Sequence, residues 1–397
     1  MKILVVSQYF HPEPFRISTI CQELVQRGHD VTVMTAYPQY PKGEIYEGYG
    51  FDIPYDTEWN GVKIHRVKTH PRGHNALGLL RNCVSYVVSG NRWVRQCEEK
   101  YDRVFVFGLS PATLALPAVT YKRKFGSPTY YYLQDLWPES VHEVLGIRFA
   151  PLTWVINRIV GRIYKYSDKI LCTSNGYVKN LMDKGVPEDK LVYWPQFCTE
   201  PDFTDAVKPE IYTDDTFNVV FTGNIGDAQG LDLVVEAAAQ LKGKGVRWYL
   251  VGDGRAKERL EQLAADRGVT EDVVFVGRVS EAEANRYVHF ADCAYLSFQP
   301  NPLFDLILPA KLQTYLACGT PILAASGGES AALINEAQCG VAVSPQVDDL
   351  VQAVQGMAAL SPDERNAMAN NARQYSREHF DKDALIDELL DLMNNAN

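Results

Sequence analysis

Short apolar runs rich in β-branched residues alternate with longer helical stretches along the chain, and this alternation confines it to one architectural class. Strand-like runs at 3–7, 31–35, 62–67, 104–107, 129–133 and 169–172 are separated by helical patterns such as 15–27, 77–98 and 151–166. Runs that are apolar at nearly every position predict burial on both faces, the condition of a parallel sheet covered by helices on each side. The pattern then restarts, with strands at 218–222, 247–251, 273–276, 294–297 and 321–325 and helices at 231–241, 256–267, 281–290 and 311–318. Between the two series, 194–215 holds three prolines and many acidic residues and no periodic element, so it reads as a linker. The tail from Pro362 is helical and polar, with no strand after it. The expected fold is α/β, with two Rossmann-like doubly wound domains facing a cleft, 1–200 and 201–372.

Composition narrows the rest. The 397 residues suffice for two or three domains, and 46% hydrophobic with 22% charged residues excludes disorder, collagen and a small disulfide scaffold. The eight cysteines form no C-x-x-C pair and read as reduced thiols of a cytoplasmic protein. The apolar run opening MKILVVSQYF is too short for a signal peptide. The longest uncharged stretch, 104–121, contains Gly108, Pro111 and Pro117 and reads as strand, turn and helix rather than a membrane span. Charge is unevenly placed: residues 1–200 carry 24 Lys and Arg against 19 Asp and Glu, residues 201–397 only 15 against 30. The first half is therefore the one expected to meet an anionic surrounding.

In open α/β sheets ligands bind beyond the carboxyl ends of the strands, and the glycine motifs of the second half follow strands. FTGNIGDAQGLD (221–232) places Gly223, Gly226 and Gly230 before a helix, the pattern of a phosphate turn or of an ordinary βα turn. LVGDGRAKERL (250–260) repeats it with Gly252, Asp253 and Gly254, followed by Arg255 and Lys257. Cations at a helix start oppose its dipole unless a bound diphosphate reverses the cost; a solvated basic turn is the alternative. FVGRV (275–279) puts Arg278 after a turn glycine, which suits a base edge or only a tight turn. In NPLFDLILPAKLQTYLACGTPILAAS (301–326), Pro309 opens a helix with Lys311 in its first turn and Thr314 one turn on. An ammonium in so apolar a helix start needs an anionic partner, either a ligand phosphate or a carboxylate such as Asp305.

These four motifs, in this order and spacing, resemble the retaining nucleotide-sugar glycosyltransferases of family four, as do SNGYVKNLMDKGVPEDKLVYWPQ (174–196) and the opening 8–41. The likeness covers nearly the whole chain and is greatest in the bacterial O-antigen and capsule branch. It implies a GT-B fold, with an N-terminal acceptor domain, a C-terminal donor domain and a last segment, 373–397, returning to the first domain. It implies no cofactor and no essential metal. The pattern departs from the family's at several places. Asn224 and Gln229 stand near the usual Arg and Lys of the glycine loop, and Leu306 and Thr314 stand where two glutamates hold the sugar and the ribose. The resemblance then implies that Asp305 replaces the first carboxylate, the Thr314 hydroxyl the second, and Lys311 with Arg255 or Lys257 the missing positive charge.

In the first half, YYYLQDLWPES (130–140) follows a strand. Gln134 takes the place of the His that many relatives aim at the donor sugar, and a carboxamide bonds a hydroxyl without titrating. Asp135 is the candidate catalytic or sugar-orienting group, a helix cap being its alternative. The loop after the first strand lacks G-x-G-x-x-G, which argues against a dinucleotide there. Glu13 and Arg16 in that region are candidate acceptor contacts, or a plain ion pair.

Residues 60–97 hold Lys63, Arg66, Lys68, Arg72, Arg81, Arg92 and Arg95 and no acidic residue. Arg81, Arg92 and Arg95 fall within about 60° of helical arc, with Leu77 and Val88 among them and Leu79, Tyr86, Gly90 and Val94 expected to pack inward. Such a face suits an anionic membrane; a solvated helix face is the alternative. No aromatic and basic RNA-recognition motif occurs in this acidic chain, so nucleic acid is not an expected partner. The loop from Tyr37 to Tyr55 is aromatic enough to stack on acceptor sugars or to fold back as a lid.

The expected activity is transfer of a hexosyl or N-acetylaminosugar group from a nucleotide-sugar donor to a hydroxyl of a polyprenyl-diphosphate-linked saccharide. UDP is favoured over GDP by family frequency, and the expected location is cytoplasmic, peripheral on the inner face of the plasma membrane. A nucleotide-sugar 2-epimerase shares the architecture but relies on histidines and carboxylates not found in these motifs. A dehydrogenase needs a dinucleotide fingerprint, and a periplasmic sugar-binding protein needs an export signal.

Overall fold

The computed structural model describes residues 1–52, 55–143, 146, 149–213 and 215–395. The chain divides into two compact units. The first comprises Met1–Thr173, Tyr177–Trp194 and Ile386–Asn397, and the second Ser174–Gly176 and Pro195–Leu385.

The first unit is built on eight strands: β1 (Lys2–Val6), β2 (Asp30–Thr35), β3 (Asp56–Trp59), β4 (Val62–Arg66), β5 (Arg103–Gly108), β6 (Thr129–Leu133), β7 (Lys169–Cys172) and β8 (Leu191–Tyr193). Their order is β3-β4-β2-β1-β5-β6-β7-β8, parallel except for the β3–β4 hairpin. β1 sits at the centre, with Ile3 paired to Val31 on one side and to Arg103 on the other. β5 and β6 are almost wholly buried, as expected of strands covered on both faces. β3 and β8 escaped the sequence reading because they are short edge strands; β3 is mostly exposed and lacks an apolar run.

The second unit holds β9 (Phe217–Thr222), β10 (Val246–Val251), β11 (Val273–Gly277), β12 (Cys293–Ser297), β13 (Ile322–Ala325) and β14 (Gly340–Val343), all parallel, in the order β11-β10-β9-β12-β13-β14. Strand order reverses between β9 and β12, so the crevice beyond their carboxyl ends is where a doubly wound sheet takes a ligand. Val219, Phe221, Trp248 and Tyr295 point into one apolar layer; Val220, Tyr249, Ala294 and Leu296 point into the other.

Two expected boundaries shift. The stretch 194–215 is packed on the second unit rather than loose. The Cys198 N–H donates to the Phe380 carbonyl at 2.9 Å, and the buried Tyr212 packs edge-on against Tyr249 while its hydroxyl donates to the Tyr287 carbonyl at 2.9 Å. The chain therefore changes unit between Trp194 and Pro195, not at 200. The tail also returns later than 373. The helix Pro362–His379 stays with the second unit, where Ala372 is fully buried. Residues Ile386–Asn397 join the first unit. There the Met393 carbonyl accepts from Arg103 at 2.5 Å and the Leu392 carbonyl from the Tyr130 hydroxyl at 2.9 Å. No helix among the described residues is long and apolar enough to cross a membrane. None of the eight cysteines is in a disulfide.

Candidate functional site

Beyond the carboxyl ends of β9, β10 and β11, three glycine turns are laced to one another by main-chain bonds. Gly223 N–H donates to Val251 at 2.9 Å, Ile225 N–H to Asp253 at 2.9 Å and Gly252 N–H to Gly277 at 2.8 Å. A Cβ on Gly252 would collide with the Gly223 carbonyl, and one on Gly254 with the Ile225 carbonyl. At these two positions the glycine serves loop-on-loop packing; Gly252 also has φ +145°, which disfavours any side chain. Several N–H groups expected to meet an anion are committed inside the turns. Ala256 N–H bonds Ile225, Lys257 N–H bonds Gly254 at 3.1 Å, and Gly226 N–H bonds the Gln229 side-chain oxygen at 3.1 Å. Gln229 is thus a turn-locking residue rather than an open donor contact. Asn224 and Asp253 are exposed on the turns, and Asp253 takes the Gly254 N–H at 2.9 Å.

Lys311 converges on this cradle. It lies in the first turn of the helix Ala310–Cys318, which Pro309 opens. Its nitrogen stands 3.5 Å from where a Cβ on Gly223 would sit and 4.0 Å from the centre of the Phe221 ring. The nitrogen is buried with no hydrogen-bond partner among the described residues, although part of the side chain reaches solvent. Burial pushes the ammonium down from its ordinary value to about 7. The Phe221 ring opposes that shift, because its face attracts the charged form. One turn on, Tyr315 fixes the end of β9 by accepting the Thr222 N–H at 3.0 Å, which sets the helix, and Lys311 with it, against the Gly223 turn.

The other expected donor residues are not drawn to this point. Arg255 is 81% exposed and pairs with Asp227 at 2.8 Å, an exposed ion pair. Lys257 reaches toward Glu261 at 3.7 Å. Each faces a carboxylate of its own unit. Arg278 is exposed after Gly277. Asp305 is exposed on a short turn beside Gly327 and Gly328 and makes no ion pair with Lys311. Thr314 is half-buried, its hydroxyl bonded back to Ala310 at 3.3 Å, the usual helical back-bond. Phe221 and Tyr315 were missed by the sequence reading; the four-residue spacing of Lys311 and Tyr315 was the available signal.

In the first unit, Asp135 follows β6 and its carboxylate accepts the Ser110 N–H at 3.0 Å, so it ties the β6 loop to the β5 loop rather than capping a helix. Burial raises its carboxyl above the ordinary range, with the Ser110 bonds opposing. Trp137 Nε1 donates to the Ser110 hydroxyl at 3.0 Å and locks the same pair of loops. Gln134 is anchored through its main chain, its N–H donating to the Gly108 carbonyl at 3.1 Å. Glu13, expected at an acceptor, is internal. It is 3% exposed, and its carboxylate accepts from Phe10 at 3.2 Å, Gln39 at 2.9 Å and Tyr40 at 2.7 Å. It therefore staples two loops and is not an open acceptor contact. Arg16 is half-buried at the head of the helix Ile17–Gln26.

The aromatic loop folds back. Tyr37 is buried, Tyr46 bonds the Tyr40 carbonyl, and Arg66, Lys68 and Arg72 lie over Tyr49, Phe51 and Tyr40 at 5.1, 5.4 and 5.5 Å. Arg66 is buried, bonded to the Ala36 and His11 carbonyls, so it leaves the supposed basic face. Lys63 pairs with Asp30 at 2.8 Å. Arg81, Arg92 and Arg95 remain exposed on the helix Ala76–Gln96, with Tyr86, Gly90 and Val94 buried opposite. Leu79 was expected inside and is 38% exposed; Leu80 and Val84 join Leu77 and Val88 as exposed apolar groups. No group of three or more potential metal ligands occurs among the described residues.

Two Rossmann-like units of parallel sheet, the second with glycine turns and a buried cation at its strand-order reversal, place the chain in the GT-B class of architecture. Residues 15–196 match the family model of the glycosyl transferase 4-like domain, and residues 216–359 that of the glycosyl transferases group 1. The chain is a glycosyltransferase. It is 26% identical over 422 aligned residues to the putative colanic acid biosynthesis glycosyl transferase WcaI of Escherichia coli (strain K12), covering 98% of this chain and 99% of the relative. Solved structures share the fold. Sucrose-phosphate synthase from Thermosynechococcus elongatus matches with TM-score 0.77 at 16% identity, over 99% of this chain and 98% of its own. Anabaena HepE in complex with UDP and glucose matches with TM-score 0.69 at 15% identity over 100% of both chains. The epimerase alternative is not favoured by these relatives.

Proposed function

We propose that this glycosyltransferase transfers a sugar, with retention at the anomeric carbon, from a UDP-sugar to a hydroxyl of a polyprenyl-diphosphate-linked saccharide in bacterial surface polysaccharide synthesis. The observation that carries the donor reading is the Lys311 ammonium, buried and unpartnered among the described residues beside the Gly223 turn. A buried ammonium is costly unless a negative group meets it, and a donor diphosphate is such a group. As the bond from the sugar to the diphosphate breaks, charge grows on the leaving oxygen, where a pre-placed cation stabilises it. The new bond forms from the acceptor oxygen to the anomeric carbon. Its proton passes to the leaving phosphate oxygen on the same face, so no protein nucleophile and no resident metal is invoked. Asp135, held by Ser110, orients the sugar or acceptor. UDP is favoured because a protein of this fold, HepE, has been solved with it. WcaI, whose name places it in colanic acid biosynthesis, supports a surface-polysaccharide acceptor.

The exposed stripe of Leu77, Arg81, Val84, Val88, Arg92 and Arg95 supports a peripheral position on the inner face of an anionic membrane. The test is incubation with UDP- and GDP-sugars and a synthetic polyprenyl-diphosphate saccharide. A single α- or β-linked product whose anomeric configuration matches the donor, seen with a UDP-sugar, is the expected result. Inverted product, or thermal stabilisation by NAD and by neither UDP nor GDP, overturns the reading. Epimer formed without acceptor overturns it as well.

A further inference from the structure

A groove of about 880 Å³ lies on the first unit between the helices Leu116–Phe125 and Ala150–Tyr166, with Asn91 of the helix Ala76–Gln96 at its edge. Its wall carries Arg123, Arg158, Arg162 and Lys165 and no Asp or Glu. No carboxylate pairs with these four cations among the described residues. At 100° per residue, Trp154, Arg158, Arg162 and Lys165 fall within about 80° of arc on Ala150–Tyr166. Ile156, Val160, Ile163 and Tyr164 are buried on the opposite side. The head of the helix is apolar and open: Phe149 and Trp154 are each 63% exposed, with Leu152 and Val155 beside them. Trp154 is held in place by Arg158, whose guanidinium lies 5.4 Å from the ring centre. The helix is therefore graded along its axis, from an apolar tip to a cationic band, their centres about 15 Å apart at 1.5 Å per residue.

We infer that this groove and tip form a second membrane-docking surface, one that takes anionic glycerophospholipid of a bilayer. The tip enters the acyl boundary, and Arg158, Arg162 and Lys165 meet the headgroup phosphates. Charge decides the occupant: four cations without a carboxylate match a phosphate-rich plane, and an aromatic residue at the water boundary suits a bilayer edge. An exposed apolar cluster of this kind is otherwise a liability on a monomer's surface. The surface is centred on the helix Ala150–Tyr166 and adjoins the helix of Arg81, Arg92 and Arg95 only at Asn91; it does not depend on the identity of donor or acceptor.

The test is cosedimentation of the full chain with vesicles of phosphatidylcholine alone and with about a third phosphatidylglycerol. Each surface cation contributes roughly a factor of five near acidic lipid, so Arg158→Ser with Arg162→Ser should lower the partition coefficient roughly thirty-fold. Trp154→Ala should lower it further, and brominated lipid should quench the wild type more than the Trp154 variant. UDP binding by the same variants should be unchanged, which keeps a failure of this surface distinct from a failure of the transferase reading. Unaltered pelleting of the variants, or equal binding to neutral vesicles, overturns the proposal. Release of protein from vesicles by millimolar inorganic phosphate, at constant ionic strength, also overturns it, because the groove would then be a soluble-anion site.

Discussion

Replacing Lys311 with Met keeps an unbranched side chain, one atom shorter, and removes the ammonium, and the structure makes the two consequences opposite in sign. Burial lowers this group from its ordinary 10.5 to about 7. A gap of that size corresponds to about 5 kcal/mol against the charged form. The Phe221 ring, 4.0 Å away, acts the other way, since a desolvated cation over an aromatic face gains about 2 kcal/mol. The unliganded protein thus carries a cost of about 3 kcal/mol at and below neutral pH. Below 10.5, across the interval by which the folded value is lowered, the folded chain holds fewer protons at this site than the unfolded chain. Stability from this group therefore rises with pH across that window. A bound diphosphate reverses the preference, favours the ammonium, and draws in a proton when binding occurs above neutral pH. Lys311→Met is expected to raise the denaturation midpoint of the unliganded protein, most clearly at about pH 7, and to flatten its pH dependence up to about pH 9. UDP affinity should fall roughly thirty-fold, the worth of a charge-assisted bond of about 2 kcal/mol. Chemical denaturation reads the first effect. Calorimetry with UDP at about pH 8, in buffers of different ionisation enthalpy, reads the second and the proton uptake. A variant that is destabilised yet binds UDP as well as the parent would refute the reasoning, because the ammonium would then be serving an internal contact.

Gly252→Ala should cost about 3 kcal/mol or more, since the new methyl meets the Gly223 carbonyl at a φ that disfavours it; a melting temperature within a degree or two of the parent would contradict the loop-packing role. Glu13→Gln should cost about 1–3 kcal/mol, because an amide nitrogen replaces one oxygen that now accepts main-chain N–H groups. Burial raises the Glu13 carboxyl above its ordinary range, so the folded chain takes up that proton before the unfolded chain does. The parent should therefore gain stability relative to the Glu13→Gln variant as pH falls through the raised value, and a gap that narrows there in denaturation curves would contradict the dominance of burial. Asp135→Asn retains an oxygen for the Ser110 N–H and should leave the melting temperature nearly unchanged while lowering kcat by about 10²–10³; full activity would remove Asp135 from the site.

The alternation of buried strands and amphipathic helices was legible along the chain because each element announces itself locally, by a period of side-chain burial that neighbours in sequence share. Two sheets, their parallel character and the glycine turns after their strands follow from that signal, and so does the placing of Lys311 at a helix start behind Pro309. What a charged side chain faces is not a local property. Glu13 and Arg16 read alike as surface groups, yet Glu13 is buried against main-chain N–H groups more than twenty residues away. Arg255 and Lys257 look like diphosphate ligands in their motif, and the folded chain sets carboxylates at 227 and 261 beside them. Lys311 was left without a carboxylate among the described residues, over the Phe221 ring and on a helix that Tyr315 ties to the end of β9. Sequence periodicity thus determined which faces go inward. The partner of each buried charge was decided by the tertiary structure, because electrostatic pairing depends on distance through space while burial period depends on distance along the chain.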